Sequence, residues 1–491
     1  MSVSSPGRFV RVGVLVALVG WSAVVPVPRA VGAAVFFVSA TGDRADPAPG
    51  DGMCADVRDV CTLRAAIQEA NALAGADTIV LAPGTFRLSL KGTGPGGGDL
   101  DIHSSVAIEG AGAGRSVIDA GGVDGIGDRA LEVDEADGAI QVALRHLDVR
   151  GGRLATGYGA GIRVAPAEAG LRLELEGVRL SGNRVVGDAA TDVGGGLWVG
   201  PGAKVVAVET TVERNRAHVG GGVKVATGGS LRLQRSAVVD NRAFDGGGVV
   251  ASGSVALVTS TVDSNAIGAG PSGVGGVLAE GGTLTISGSA LVGGPSALGS
   301  SLGATVSISG SIVKGGCSLS GVTDDGGHNL DGGTTCGFGR PSDLSSTPPR
   351  LGTLADHGGP TPTRTLKPAS RAIGAGGSCG GTDQRGVPRG RACDIGAYQY
   401  AECLGRPVNV VGTPGPDVIG TGGHRDNILS LGGNDIVRAG AGKDRVCTRR
   451  GGDWIVGGRG ADRLKGGTGR DWCDGGRGPD LAVCEVERRV A

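Results

Sequence analysis

Three short segments in the middle of the chain decide its architecture: Gly194-Gly195-Gly196, Gly220-Gly221-Gly222 and Gly246-Gly247-Gly248. They start 26 residues apart, and each is followed by a short apolar stretch such as Leu197-Trp198-Val199. Between them runs a second set of alternating apolar residues, as in Leu231-Arg232-Leu233. Each unit ends in an asparagine, at Asn183, Asn215, Asn241 and Asn265. Two or three short strands separated by Gly and Asn turns are typical of one coil of a solenoid.

A single coil cannot bury its apolar side chains, whereas stacked coils about 4.8 Å apart pair every strand above and below. The repeat therefore predicts a parallel β-helix. The asparagines are expected to stack as a hydrogen-bonded ladder, because Asn tolerates the turn conformation that these positions require. The alternative is a polar strip that faces a substrate.

Composition agrees with an all-β chain. Gly accounts for 99 of 491 residues, whereas aromatic residues make up only 3%. The glycines lack the every-third-residue spacing of collagen, and a helical bundle would lose up to about 1 kcal/mol at each interior Gly. With 40% hydrophobic residues and a net charge of −1, the chain is not disordered. The same charge gives no electrostatic basis for binding nucleic acid or an anionic membrane.

The N-terminus predicts export. Residues 1–33 resemble a secretory signal peptide, with Arg8 and Arg11 before an apolar run and a cleavage site after Ala33 or Ala30. A membrane anchor is the alternative, but the run is shorter than the roughly 20 residues of a span. We therefore expect a secreted mature chain without a membrane span.

Ten cysteines fit an oxidising destination. Their spacing predicts the pairs Cys54/Cys61, Cys317/Cys336 and Cys379/Cys393. It leaves the pairing of the last four open: Cys403, Cys447, Cys473 and Cys484.

One amphipathic helix is expected over residues 62–73, immediately before the first strand at 78–81, where it would cap the first coil. Its start, Cys61-Thr62-Leu63-Arg64-Ala65-Ala66-Ile67, resembles the CSLREA box of secreted bacterial β-helix proteins, although Thr62 and Ala65 depart from it. Four further motifs resemble the signature of choice-of-anchor proteins: Gly326-Gly327-His328-Asn329-Leu330, Gly358-Gly359-Pro360-Thr361, Asp383-Gln384-Arg385-Gly386 and Asp394-Ile395-Gly396-Ala397-Tyr398.

This resemblance implies a right-handed, pectate-lyase-like parallel β-helix, an extracellular or surface location, and no established reaction. We accordingly divide the chain into a signal peptide (1–33), an N-cap and β-helix (34–310), a region that contains the C-terminal end of the β-helix and the choice-of-anchor-like motifs (311–402), and a C-terminal repeat region (403–491).

The C-terminal region repeats every nine residues. Eight aspartates occur at this interval: Asp417, Asp426, Asp435, Asp444, Asp453, Asp462, Asp471 and Asp480. A small or apolar residue follows two positions after each. The last three units resemble the Gly-Gly-x-Gly-x-Asp nonapeptide of repeats-in-toxin (RTX) β-rolls, with turn glycines at Gly458, Gly460, Gly467, Gly469, Gly476 and Gly478.

The nonapeptide geometry predicts calcium binding. Two units make one coil, so Asp462 and Asp480 stack about 4.8 Å apart. Two carboxylates at that distance repel by roughly 3–4 kcal/mol at an effective dielectric near 20. Calcium accepts both carboxylate and backbone carbonyl oxygens, and Gly turns leave the carbonyls bare. The alternative is a metal-poor roll held by disulfides and ion pairs, because residues 404–491 contain eleven acidic and fourteen basic side chains.

These features favour a non-catalytic extracellular module that binds calcium and a polysaccharide or cell-surface component. The rival is a polysaccharide lyase or uronan epimerase acting on acidic polysaccharide. Candidate carboxylates for catalysis are Glu213, Asp240 and Asp263, but they occur one per coil. The Asp-Pro-His-Glu signature of alginate epimerases is absent, and the nearest string, Asp101-Ile102-His103, alternates like an ordinary strand.

Overall fold

The computed structural model describes residues 32–488 except 93, 136, 137, 169, 269, 271, 302 and 321–323. Residues 1–31 of the predicted signal peptide lie outside this range. No helix within the described part of the chain is long and apolar enough to cross a membrane. The predicted all-β fold is confirmed: a parallel β-helix is followed by a parallel β-roll.

Three parallel sheets form the β-helix, and successive coils add strands to them in turn. Sheet 1 contains Val35–Val38, Asp77–Leu81, Val106–Glu109, Gln141–Arg145, Arg172–Glu176, Lys204–Val208, Ser230–Gln234, Ser254–Val258, Thr283–Ser287, Thr305–Ser309 and Asp324–Asp325. Sheet 2 contains Gly84–Arg87, Ser116–Asp119, Asp148–Arg150, Arg179–Ser181, Thr211–Glu213, Ala237–Val239, Thr261–Asp263, Ala290–Val292, Ile312–Lys314 and Leu330–Asp331. Sheet 3 contains Leu100–Ile102, Leu131–Val133, Ile162–Val164, Leu197–Val199, Val223–Val225, Val249–Ala251, Val274–Ala279, Ser296–Ser300 and Cys317–Ser318.

Between sheets 2 and 3, several coils add a two-residue strand. These strands pair as Arg153–Leu154 with Arg184–Val185, and as Arg242–Ala243 with Ala266–Ile267.

Alternation along each strand builds the core. In Arg172–Glu176, Leu173 and Leu175 are buried, whereas the charged ends are exposed. The same inward positions on the neighbouring coils are Val205 and Ala207, which lie in register with the two leucines. The apolar column runs through the whole β-helix, so its core is one continuous cluster.

Two ladders of polar side chains hold the turns. The predicted asparagine ladder is present, and all four of its members, Asn183 to Asn265, are buried. A second ladder, which sequence reasoning missed, lies between sheets 1 and 2, where each backbone N–H donates to the hydroxyl one coil later at 3.1 Å. It consists of Thr210, Ser236, Ser260, Ser289 and Ser311.

The predicted helix spans Leu63–Ala72 and packs its apolar face on the first coils. Thr62 is the N-cap, and its hydroxyl accepts a hydrogen bond from the Ala65 N–H at 3.2 Å. Arg64 is buried and donates to Asp43 at 2.7 Å and to the Asp99 carbonyl at 2.9 Å. The box that begins at Cys61 therefore caps the helix and anchors it to the coils. A 3-10 turn, Gly122–Asp124, lies in a later loop.

The segment after the β-helix folds back on it. An antiparallel pair, Leu351–Ala355 with Thr363–Leu366, brings Arg364 onto the buried carboxylate of Asp263. Nearby, the Gln384 side chain accepts from the Thr261 hydroxyl at 2.6 Å. This segment covers part of the outer surface of sheet 2.

All ten cysteines form disulfides, including the three predicted pairs. The four cysteines left open by the sequence pair as Cys403–Cys447 and Cys473–Cys484. Cys403 belongs to a short antiparallel pair, Glu402–Cys403 with Arg406–Pro407, at the entry to the β-roll.

The β-roll consists of two facing parallel sheets whose strands alternate along the chain. One sheet contains Val410–Val411, Asn427–Leu429, Arg445–Cys447, Arg463–Lys465 and Leu481–Val483. The other contains Val418–Gly420, Ile436–Arg438, Trp454–Gly460, Trp472–Arg477 and Val486–Arg488, with Ala441–Gly442 beside it. Of the eight residues two positions after an aspartate, six are fully buried: Ile428, Val437, Val446, Ile455, Leu464 and Cys473. The other two, Ile419 and Ala482, are partly buried against them.

Candidate metal centre

The eight predicted aspartates lie in two columns along the β-roll, because each coil is eighteen residues long and contains two nonapeptides. The first column consists of Asp417, Asp435, Asp453 and Asp471, and the second of Asp426, Asp444, Asp462 and Asp480. Along each column, the backbone N–H of one aspartate donates to the Oδ1 of the aspartate one coil later, at 2.8–3.0 Å. This hydrogen bond fixes one carboxylate oxygen in every repeat.

The second carboxylate oxygen is the unusual feature. The Oδ2 atoms of six aspartates are buried without a hydrogen-bond partner: Asp435, Asp444, Asp453, Asp462, Asp471 and Asp480. A buried carboxylate oxygen without a partner is costly unless a cation neutralises it. Because six such atoms recur in register, a cation bound in the same way at each repeat would account for all of them.

The pKa values of the aspartates in the two columns also indicate that a neutralising cation belongs there. Burial raises the pKa of Asp444 to about 6, and the neighbouring carboxylates of Asp462 and Asp426 add to the rise. Burial also raises the pKa values of Asp435, Asp462 and Asp471. The protein without a cation therefore disfavours the charged form of these groups.

The predicted turn glycines supply the second kind of oxygen. Gly458, Gly460, Gly467, Gly469, Gly476 and Gly478 all have positive φ, between 95° and 141°. A Cβ on Gly460 or Gly478 would collide with the carbonyl oxygen of the glycine one coil earlier. The turns thus stack so closely that only glycine fits, with bare carbonyl oxygens beside the aspartates.

The aspartates also face these turns. A Cβ on Gly457 would lie 2.7 Å from the unpartnered Oδ2 of Asp462, five residues later in the same repeat. Carboxylate and carbonyl oxygens together are the ligand set that calcium prefers. The residues present therefore fit a calcium ion.

The two first aspartates differ from the other six. Asp417 is half-buried, and its carboxylate accepts from the Thr413 N–H at 2.6 Å and the Thr413 hydroxyl at 3.1 Å. Asp426 accepts from the Asn409 side chain at 3.2 Å. Local partners thus satisfy part of the carboxylate on the first coil.

The far end of the first column contains a residue that sequence reasoning missed. The Asp471 N–H donates to the Glu485 side chain at 2.8 Å, so Glu485 takes the place of the next aspartate. Glu485 follows Asp471 by fourteen residues instead of eighteen, and the nine-residue period could not reveal it.

The alternative is a metal-poor roll held by disulfides and ion pairs, and residues 403–491 do contain two disulfides, Cys403–Cys447 and Cys473–Cys484. Among the described residues, no arginine or lysine forms a salt bridge with any of the eight aspartates. The arginines of the later repeats, such as Arg459, Arg463, Arg470 and Arg477, are exposed.

The candidate catalytic carboxylates of the β-helix lie on successive coils at one turn, because Glu213, Val239 and Asp263 are in register. Partial burial and the carboxylates of Glu213 and Asp263 raise the pKa of Asp240. Asp263 is held by Arg364 and Glu213 by Arg214 at 2.8 Å, whereas Asp240 is exposed at a turn. Asp101 lies near Asp99 and Glu132, in the one cluster of three potential metal ligands found among the described residues.

Two arginines offset part of the negative charge of that cluster, but the Asp101 Oδ2 is buried without a hydrogen-bond partner. Burial raises the pKa of Asp99 to about 6 and also raises the pKa of Asp101. Arg129 contacts both Asp99 and Glu132, and Arg163 contacts Glu132 as well. His103 lies two residues beyond Asp101, with its backbone N–H donating to the Asn71 side chain at 2.9 Å.

Comparisons with known proteins address both solenoids. The crystal structure of pectate lyase Pel9A aligns with a TM-score of 0.42 and 14% identity, covering 75% of this chain and 97% of that one. No curated protein matches the chain. The family model of the RTX calcium-binding nonapeptide repeat, which spans four copies, matches residues 420–452 and 448–482. The match confirms that the C-terminal repeats are of the RTX type and that their ion is calcium.

Proposed function

We propose that this chain is a secreted calcium-binding β-solenoid protein that acts without catalysis, as an extracellular adhesion, glycan-binding or structural module. The single observation that carries the calcium assignment is the row of buried, unpartnered Oδ2 atoms in the two aspartate columns. When bound, calcium supplies the positive charge that lets neighbouring carboxylates stay ionised at one strand spacing.

The ligands in this proposal are the eight predicted aspartates together with the carbonyl oxygens of the turn glycines. We expect the strongest sites along Asp444, Asp462 and Asp480 and along Asp435, Asp453 and Asp471, where Oδ2 has no other partner. Asp417 and Asp426 would contribute less, because local side chains already contact their carboxylates.

Export is supported by the signal-like residues 1–33 and by the complete pairing of ten cysteines, which fits an oxidising compartment. We further propose the CSLREA and choice-of-anchor assignment and the domain division at residues 34–310, 311–402 and 403–491. The buried Arg64 and the N-cap Thr62 give the residues of the box a structural task.

The non-catalytic role is supported by the state of the candidate carboxylates. Asp263 and Glu213 each contact an arginine, and Arg129 and Arg163 contact Asp99 and Glu132 in the cluster around Asp101. Of the three candidates, Asp240 alone forms no ion pair among the described residues. A lyase or epimerase needs a carboxylate or basic group that is free to move a proton.

Calcium titration calorimetry on the full chain tests the site. We expect the double variant Asp462→Ala/Asp480→Ala to lose at least one class of sites. A matched control, Asp124→Ala/Glu168→Ala, removes two exposed carboxylates of the β-helix and should bind calcium like the parent. Equal binding by parent and the first variant would show that these aspartates are not ligands.

An assay for unsaturated or epimerised product from polyuronates tests the absence of catalysis. Sustained turnover by the full chain in calcium would contradict the non-catalytic role and leave the calcium assignment standing.

A further inference from the structure

Four arginines lie in a column along one edge of the β-helix. Arg153, Arg184, Arg216 and Arg242 are in parallel register on consecutive coils. Three of them directly follow a ladder asparagine in the sequence, so the buried ladder positions each arginine. Backbone hydrogen bonds of 2.8–2.9 Å join the arginines to the coil before them. The column therefore has the fixed spacing of the strands, about 4.8 Å.

The column is not neutralised by the protein. Other arginines of the β-helix pair with acids on neighbouring coils, as Arg150 does with Asp119 and Arg179 with Asp148. Within the described residues, the four column arginines form no ion pair.

Arg184 shows the consequence of this isolation. Its Nε is buried without a hydrogen-bond partner, and burial together with repulsion from Arg216 and Arg153 lowers its pKa. Arg216 and Arg242 are exposed. Like charges at one strand spacing repel, so an anion with matching periodicity would relieve the repulsion of the whole column.

A groove accompanies the column. It has a volume of about 310 Å³ and is lined by Val185, Asp188, Arg216, His218, Arg242 and Phe244, among others. Asp188 is the only acid among its lining residues.

One wall of the groove is aromatic. The rings of His218 and Phe244 stack across two coils, with centroids 4.7 Å apart and planes inclined by 19°. Phe244 is 41% exposed and presents an apolar ring at the wall of the groove. The floor consists of small or aliphatic side chains, including Val185, Ala217 and Ala243.

We propose that this groove binds an acidic polysaccharide of the polyuronate class, with its carboxylates on Arg216 and Arg242, the two column arginines that line the groove, and a sugar ring against Phe244. A polyuronate carries one carboxylate per pyranose ring, so it presents anionic groups at a regular interval along its length. The guanidinium group forms paired hydrogen bonds with a carboxylate, and the apolar face of a pyranose packs on an aromatic ring. The inference deepens the glycan-binding role proposed above and rests on it.

Calorimetry of the full chain with a short oligogalacturonate tests the site. We expect Arg216→Gln/Arg242→Gln to weaken binding at least about tenfold, because two charge-assisted contacts are lost. The control Arg172→Gln/Arg232→Gln removes two exposed arginines of sheet 1 and should leave affinity unchanged. Arg216→Lys/Arg242→Lys keeps the charge and should recover part of the affinity. Circular dichroism checks that every variant folds.

Further binding experiments test the groove assignment separately from the calcium assignment and the non-catalytic role. A methyl-esterified oligogalacturonate should not bind, and the variant Asp462→Ala/Asp480→Ala should bind the free acid like the parent even if its calcium sites fail. Equal affinity of the parent and the Arg→Gln variant would overturn the groove assignment. Tighter binding of single-stranded DNA than of the uronate would also overturn it, since the column would then be a phosphate site. Turnover of the bound oligosaccharide would overturn only the non-catalytic role.

Discussion

The β-helix and the β-roll keep their coils in register with the same hydrogen bond, but they differ in the side-chain atom beside it. In the β-helix, the Asn215 N–H donates to the Asn241 Oδ1 at 3.0 Å, and the Asn215 Nδ2 donates to the same oxygen at 3.0 Å. In the β-roll, the Asp444 N–H donates to the Asp462 Oδ1 at 2.9 Å, whereas the Asp444 Oδ2 has no hydrogen-bond partner.

Whether the second side-chain atom is an amide nitrogen or a carboxylate oxygen decides whether the ladder can satisfy all of its own hydrogen-bonding groups. The asparagine ladder satisfies its own donors and acceptors, because Nδ2 also reaches a backbone carbonyl, as from Asn241 to Val212 at 2.8 Å. The aspartate column has one acceptor too many and one negative charge per coil. We therefore expect the β-helix to fold without an ion and the β-roll to require one.

Removal of calcium gives the largest expected difference between the two regions. Each pair of stacked carboxylates repels by about 3–4 kcal/mol at an effective dielectric near 20, and no partner offsets this in the roll. In chelator, hydrogen exchange followed by mass spectrometry should show rapid exchange over residues 420–482 and retained protection over the β-helix strands. Equal protection of the roll with and without calcium would contradict the comparison.

A carboxylate introduced into the asparagine ladder should have the next largest effect. Asn241→Asp removes the donors to Val212 and Asn265 and buries a charge, so we expect a loss of about 3 kcal/mol in the free energy of unfolding. Calcium should not restore it, because the neighbours are amides. Thermal unfolding measures the change, with Gln234→Glu on the same coil as a nearly neutral control. An unchanged midpoint would mean that the ladder adds little stability.

The reverse exchange should make the roll less dependent on calcium. Asp444→Asn, Asp462→Asn and Asp480→Asn together remove three of the four charges of one column and add a donor beside each Oδ1. In calcium-free buffer the triple variant should be more stable than the parent by about 1–3 kcal/mol. The matching alanine triple removes the charge but also the Oδ1 acceptors, so it should gain less. If the asparagine triple gains nothing, the unpartnered oxygens are not what destabilises the calcium-free roll.

Acidification should produce the smallest effect. The pKa of Asp444 in the folded roll is about 6, above its ordinary value of 3.8, so the folded state takes up protons between these values. Without calcium, the roll should therefore gain stability as the pH falls through about 6 and lose it as the pH rises. Thermal melts at about pH 5 and pH 7 measure this shift. The asparagine ladder does not titrate, so a matching shift in the β-helix would point to another group.

The periodic parts of the fold were predictable from the sequence. The apolar stretch after each glycine triplet became a sheet 3 strand, as in Leu197–Val199, because spacing and alternation are local signals. The nine-residue period likewise identified both aspartate columns. In each case the sequence contains the register itself, since identical positions recur at a fixed interval.

The remainder depends on contacts between distant residues that share no period. Arg364 reaches Asp263 across about a hundred residues, and Glu485 completes the first column after a shortened last repeat. The pairing of Cys403 with Cys447 also follows from the path of the chain between two regions. The arginine column was visible as an Asn-Arg pair repeated on three coils, but only the structure shows that no acid lies opposite it.

The asparagine ladder also separates the frame of the β-helix from its turns. The step from Asn183 to Asn215 contains 32 residues and the step from Asn241 to Asn265 only 24, yet both side-chain hydrogen bonds are 3.0 Å long. The extra residues bulge outward around Asp188, at the rim of the groove, and leave the coil spacing unchanged. The turn between two ladder asparagines can therefore accept loops of different length and chemistry. Such loops would change which ligands the β-helix binds without changing how its coils stack.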